Sequence, residues 1–189
     1  MKILFLRHGE SIDDLTDQYG GWCDLALTPK GESQALETAE KIIGLEIKFN
    51  KIYTSNLIRA KQFAAILSSK LSIPFQEFVY LKEMNRNGIL TGLNRTQAKK
   101  DYPELVEQFE NGKAVPGAET YEELTNRALA GFETLLKNNN DNFIVLSHGT
   151  FLSCLLKEKY KIEIEKFGDG GFIILDNNEI LHTDQIKFV

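Results

Sequence analysis

The chain has 189 residues, 42% hydrophobic and 26% charged, proportions that suit an ordinary globular protein with one well-buried core. Its net charge of -5 argues against nucleic acid or an anionic membrane as the main partner, since both demand clustered Lys and Arg. Cys23 and Cys154 form neither a CxxC pair nor a zinc-finger spacing, so no disulfide framework or structural metal is expected, and without a signal-like segment or a membrane-length apolar run the expectation is a soluble cytoplasmic protein.

Lys2 to Leu6 is an apolar run suited to a buried strand, and it stops abruptly at Arg7-His8-Gly9. Ser11 to Leu27 shows no apolar period and is expected to be a long binding loop. Thr28 caps a first helix with Pro29 at its start and an apolar stripe of Ala35, Leu36, Ala39, Ile42 and Ile43. After a short strand at Lys51–Tyr53, Ser55 is expected to cap a helix reaching about Lys70. Its face is Leu57, Ala60, Ala64 and Leu67, and its first turn holds Arg59. Ile73 to Tyr80 reads as a further strand, confined by Pro74 to an edge or to its own start.

From Leu81 to Gly117 glycines, asparagines and short helical pieces, one of them Pro103 to Glu110, predict a small helical cap or insertion over the sheet. A long helix follows from Tyr121 to about Lys137, burying Leu124, Ala128, Phe132 and Leu135. A second apolar run, Phe143 to Leu146, ends in Ser147-His148-Gly149 and leads into a helix from Thr150 to about Lys159. Phe172–Leu175 and Glu179–Phe188 form an antiparallel hairpin at one sheet edge, joined by Asp176-Asn177-Asn178. The alternation predicts an α/β chain, a single domain over 1–189 with a mostly parallel sheet. An exposed edge of that sheet leaves a homodimer open.

Two of the three histidines therefore stand at strand ends, where open α/β sheets gather reactive groups in one crevice. A neutral imidazole is a competent nucleophile, and its phosphoryl adduct can be discharged to water. Arg7 beside His8 would hold the imidazole neutral and would also neutralise a phosphate. Phosphoryl transfer asks mainly for positioning and for charge on the equatorial oxygens. Arg7, Arg59, His148 and the first-turn amides near Arg59 are the candidate donors. A carboxylic acid must then protonate the leaving alcohol, and Glu83 just beyond Tyr80 is the candidate. Glu119 and Arg127 read as structural, Trp22 as an anchor for the long loop, His182 as a surface residue and Cys154 as core.

Leu6-Arg7-His8-Gly9-Glu10-Ser11, Thr54-Ser55-Asn56-Leu57-Ile58-Arg59-Ala60, Leu81-Lys82-Glu83, Pro116-Gly117-Ala118-Glu119-Thr120 with Arg127, and Ser147-His148-Gly149 resemble, in order, the signature segments of the histidine phosphatase superfamily, also called phosphoglycerate mutase-like. The resemblance implies a three-layer α/β/α sandwich. It implies a phosphohistidine on His8, a phosphate pocket of Arg7, Arg59 and His148, Glu83 as proton donor, and no metal. Further phosphate or substrate contacts fall on Ser11, Asp14, Gly20, Gly21 and Gly149. Two departures stand out: Asp13-Asp14 replaces the family's usual Trp-Asn, and Glu83 to Gly88 is one residue longer than usual. Asp14 must then point away from the phosphate, pair with an arginine or be protonated.

The reading that follows is a metal-independent phosphatase of small phosphomonoesters, with no cofactor. Asp17 to Asp24 and Gly92 to Arg95 look more like the cofactor-dependent mutases, which would need a bisphosphoglycerate primer, but no Arg-Arg pair of the kind that grips a glycerate carboxylate is visible. A non-catalytic phospho-ligand module and a metal hydrolase built on His8, His148 and Asp13 or Asp14 are the other readings. Arg86, Arg95, Lys99 and Lys100 lie in the segment expected to form the specificity wall.

Overall fold

A computed structural model describes residues 1–189. Six strands form one mixed sheet in the order β3-β2-β4-β1-β5-β6, with β1 Lys2–Arg7, β2 Lys51–Thr54, β3 Phe75–Glu77, β4 Phe143–Ser147, β5 Ile164–Asp176 and β6 Glu179–Phe188. The first four run parallel, and β5 and β6 are antiparallel additions beside β1. The helices are α1 Ile12–Leu15, α2 Pro29–Gly44, α3 Ile58–Leu71, α4 Arg95–Asp101, α5 Pro103–Glu110, α6 Tyr121–Asn138 and α7 Gly149–Tyr160. No helix is long and apolar enough to cross a membrane.

Alternate residues of the central strands feed two cores, as the two-residue period of a strand requires. Phe5, Val145 and Ile173 pack with Leu124, Phe132 and Phe151 of α6 and α7, whereas Leu4, Leu6, Ile144 and Ile174 pack with Ala35, Ala39, Phe63 and Leu67 of α2 and α3. This is the expected three-layer α/β/α sandwich. A third, separate cluster joins Tyr19 to Leu90, Ala98, Val106 and Val115, so the segment over the sheet has its own small core. The loop before α2 is tied to it, because Tyr19 N–H donates to Leu93 O and Tyr19 O accepts from Gly92 N–H.

Several local expectations are corrected. The loop after β1 contains α1, a single turn held by a capping box between Ser11 and Asp14. In α2 the buried face is Gly31, Ala35, Thr38, Ala39 and Ile42, at helical i, i+3, i+4 spacing, while Leu36 and Ile43, each one position past a buried residue, fall off that stripe and are exposed. The helix of Arg59 begins at Ile58 with Leu57 as its N-cap; Ser55 Oγ accepts only from Leu57 N–H, 3.3 Å away. The strand expected over Ile73–Tyr80 shrinks to Phe75–Glu77, since it pairs only with Ile52–Thr54 at the sheet edge and then turns at Val79–Leu81. The strand expected at Phe172 starts at Ile164, in a ribbon with β6 that carries a bulge between Phe167 and Phe172.

Candidate active site

β1 and β4 are neighbours with Arg7 opposite Ser147, so His8 and His148, the next residue of each, leave the sheet together. Their rings meet edge to face with centroids 4.8 Å apart. Both are buried. His8 Nδ1 lies 2.6 Å from Gly9 O. A carbonyl only accepts, so Nδ1 carries the hydrogen and Nε2 keeps its lone pair, to which Arg59 Nε donates at 3.2 Å. Burial, then the Arg59 and Arg7 guanidinium groups, hold the His8 imidazolium well below the ordinary histidine range, against a smaller opposing pull from the Gly9 carbonyl. Burial and Arg59 do the same to His148, helped by His8, Arg7 and Arg127. Arg7 acts on His8 as expected, but behind burial and Arg59. Both rings are therefore neutral at pH 7, and neither nitrogen of His148 has a hydrogen-bond partner within the chain.

Arg59, buried in the first turn of α3, donates through Nη1 to Cys23 O at 2.6 Å and through Nη2 to Gly21 O at 2.8 Å. It thus fastens the Gly20–Cys23 turn to the imidazole. The first amide of α3 does not face an open site: Ile58 N–H donates to Asp24 Oδ1 at 2.6 Å, which corrects the expectation that this turn offers its amides to an anion. Arg7 donates to Phe167 O at 2.7 Å and pairs with Asp169 Oδ1 at 3.0 Å. No local pattern points to these two residues, because the glycine-rich stretch around them does not read as a strand.

Glu83 reaches the same place from the opposite side. Its Oε1 accepts from Met84 N–H and Phe151 N–H at 2.8 and 2.9 Å, and its Oε2 from Thr150 N–H at 3.2 Å. The carboxylate thus sits on the N-terminus of α7, where the helix dipole favours negative charge. Arg127 secures the turn behind it, donating to the carbonyl oxygens of Tyr80, Lys82 and Glu83 and making two bonds to Glu119 at 2.8 and 2.9 Å. Trp22 Nε1–H adds a bond to Glu83 O at 2.5 Å. The structural reading of Arg127 and Glu119 thereby gains an object: the turn that carries Glu83.

Two cavities meet here. One, of about 440 Å³, is lined by Arg7, His8, Ser11, Asp13, Asp14, Gly21, Arg59, Glu83 and Gly149 together with the start of β5. The other, of about 380 Å³, is lined by Asp17, Gln18, Gly20, Arg86, Asn87 and Arg95, and shares Asp13, Asp14, Gly21, Glu83 and Thr150 with the first. Every residue singled out from the sequence for the site except His148 lines one of them, and His148 lies directly against His8. Asp14 pairs with no arginine; its Oδ2 accepts from Ser11 N–H at 2.9 Å. Lys99 instead lies 3.5 Å from Glu110 at the surface, and neither it nor Lys100 lines either cavity. No group of three or more His, Cys, Asp or Glu side chains is placed to hold a metal ion.

A sandwich whose first and fourth strands deliver paired histidines into a crevice with two arginines and a carboxylate defines a class of phosphoryl-handling proteins. Residues 3–182 match the model of the histidine phosphatase superfamily (branch 1), and the chain belongs to that family, whose relatives here are phosphatases and mutases. It is 32% identical over 160 residues to the uncharacterized phosphatase PhoE of Bacillus subtilis (strain 168), covering 82% of this chain and 76% of the relative. It is 27% identical over 203 residues to the 2,3-bisphosphoglycerate-dependent phosphoglycerate mutase of Streptococcus thermophilus, covering 89% and 88%. Among solved structures, the alpha-ribazole phosphatase of Shigella flexneri superposes with a TM-score of 0.80 at 19% identity, over 100% of this chain and 96% of the other. A mycobacterial glucosyl-3-phosphoglycerate phosphatase superposes at 0.76 and 20% identity, over 97% of each. These two likenesses show the fold.

Proposed function

We propose that this chain hydrolyses small phosphomonoesters without a metal or cofactor, through a phosphohistidine on His8. The observation that carries the reading is the state of that ring: it lines the cavity, neutral, with Nδ1–H committed to Gly9 O and the Nε2 lone pair held only by Arg59 Nε–H, which a phosphoryl oxygen would draw off to free it. Nε2 attacks phosphorus in line, and the bond from phosphorus to the ester oxygen breaks. The proton that arrives with the substrate's monoanion passes by way of Glu83 to the leaving alcohol. Water then attacks phosphorus, its proton goes to the Glu83 carboxylate, and the N–P bond breaks to release phosphate and neutral His8. Arg7, Arg59 and the unpartnered ring of His148 hold the phosphoryl oxygens, with Ser11 and Gly149 at the wall.

The test is phosphate release from a panel of phosphomonoesters with EDTA present, comparing the parent with His8→Ala. Release that survives the chelator and is lost in the variant supports the reading; a parent that releases none refutes it. A mutase is favoured by one observation: Arg86 and Arg95, nine positions apart in the chain, both line one cavity. Isomerisation of a phosphoglycerate only after priming with the bisphosphorylated compound would establish it.

A further inference from the structure

The two guanidinium groups that flank His8 do not bring equal charge to the cavity. Arg59 has no carboxylate against it, and its bonds go to His8 Nε2 and to the carbonyl oxygens of Cys23 and Gly21. Arg7 lines the same cavity but is ion-paired through Nη2 with Asp169 Oδ1 at 3.0 Å, the one ion pair that either residue makes. Their side chains are 22% and 29% exposed, where an ion pair is screened less than on open surface. Asp169 itself lines neither cavity. Its place is fixed, because it stands in the bulge of β5 between Phe167 and Phe172, and that bulge is fastened to the site. Phe167 O accepts from Arg7 Nη1 at 2.7 Å, Gly170 N–H donates to His8 O at 3.1 Å, and Gly170 O accepts from Thr38 Oγ1 at 3.0 Å. The φ of Gly170 is +70°, and a Cβ there would stand 2.9 Å from Thr38 Oγ1, so this close approach needs glycine. The start of α7 closes in on Arg7 as well: a Cβ on Gly149 would lie 3.6 Å from Arg7 Nε.

A phosphate at His8 therefore meets the full charge of Arg59 but an Arg7 whose charge is already shared. Arg7 still has donors to give, since Phe167 O takes only one of its N–H groups. Resting on the phosphatase reading above, we propose that Asp169 is a positioning residue of Arg7, not a catalytic one, and that it sets how tightly the site holds phosphate. It keeps the guanidinium against β5 and offsets its charge, so that inorganic phosphate, the product, is bound loosely enough to leave. A phosphoryl group carries negative oxygens before, during and after transfer. The offset thus acts on substrate, transition state and product alike, and governs affinity rather than the bond-breaking step.

Asp169→Asn keeps the shape of the side chain and removes its charge, while Phe167 O and the start of α7 still hold Arg7 in place. Inorganic phosphate is titrated by calorimetry into the parent and the variant with EDTA present, and both are assayed on 4-nitrophenyl phosphate. The variant is expected to bind phosphate about fivefold tighter. In turnover its KM falls by about the same factor and kcat does not rise, the pattern of binding gained equally by ground and transition states. Damage to the fold does not produce a gain of affinity. Asp169→Ser, which also removes the charge, should tighten phosphate too and serves where Asp169→Asn fails to fold. Phosphate held equally or more weakly by the variants, or bound by none of the three proteins, overturns the inference. Tighter phosphate binding in the variants with no phosphate release by the parent upholds the inference and refutes hydrolysis; release by the parent with phosphate affinity unchanged in the variants does the reverse.

Discussion

Lowering the pH from about 7.5 to about 5.5 is expected to destabilise the folded chain through His8 and His148. Burial and the neighbouring guanidinium groups keep both rings neutral when folded, with their pKa values well below 6.5. In the unfolded chain both titrate near the ordinary value. Above that value neither state takes up a proton, so the stabilisation from this source is complete. As the pH falls through it, only the unfolded state binds protons, and stability is lost until the folded pKa is reached. For one ring the loss over this range is about 1.4 kcal/mol, and for the pair about 2.7 kcal/mol. Urea denaturation followed by circular dichroism at a series of pH values measures it, and His8→Asn should remove about half of the dependence. Stability that is flat between these pH values, or a slope unchanged in His8→Asn, would refute the argument that the two imidazoles are held neutral by their surroundings.

Glu83→Gln is expected to slow turnover steeply on alkyl phosphates and little on aryl phosphates, whose leaving groups need no proton; uniform loss across the series would count against Glu83 as the donor. Arg127→Lys, which gives up most of the bonds to the Tyr80, Lys82 and Glu83 carbonyls, should reproduce that leaving-group dependence in weaker form, read from the slope of rate against leaving-group acidity. Gly31→Ala should cost about 1–3 kcal/mol by urea denaturation, because its Cβ would stand 2.1 Å from Glu10 O, where the His8–Glu10 turn rests on α2. A stability within about 0.5 kcal/mol of the parent contradicts that contact. Asp14→Asn removes a negative charge from the wall of the His8 cavity and should tighten competitive inhibition by inorganic phosphate; an unchanged or weaker inhibition constant would show that Asp14 does not face the anion.

How much was legible beforehand depended on whether the signal was local. The runs ending in Arg7-His8-Gly9 and Ser147-His148-Gly149 are short-range patterns, and the sheet sets them side by side as expected. Thr28 caps α2 by accepting from Gly31 N–H, and Pro103–Glu110 is helical over the residues read for it. The failures were cases in which a distant partner decided. Ser55 has the chemistry of a cap, yet the first amide of α3 is taken by Asp24, more than thirty positions away, and no local pattern reports that. Ile164–Gly171 carries too many glycines to look extended, but pairing with β6 draws most of it into a bulged strand and brings Phe167 and Asp169 onto Arg7. Glu83 is legible from its place just beyond Tyr80 and from the Leu81-Lys82-Glu83 motif; its three amide donors and the Arg127 knot behind it are tertiary and visible only in the fold.

The phosphohistidine is the claim on which the rest depends, and trapping it is the most direct test. The parent, mixed with a turning-over phosphomonoester and quenched in alkali within milliseconds, should carry one phosphoryl group that is lost in acid and that maps by mass spectrometry to the peptide containing His8. Phosphate release with no such adduct, or an adduct on any other residue, would contradict the account.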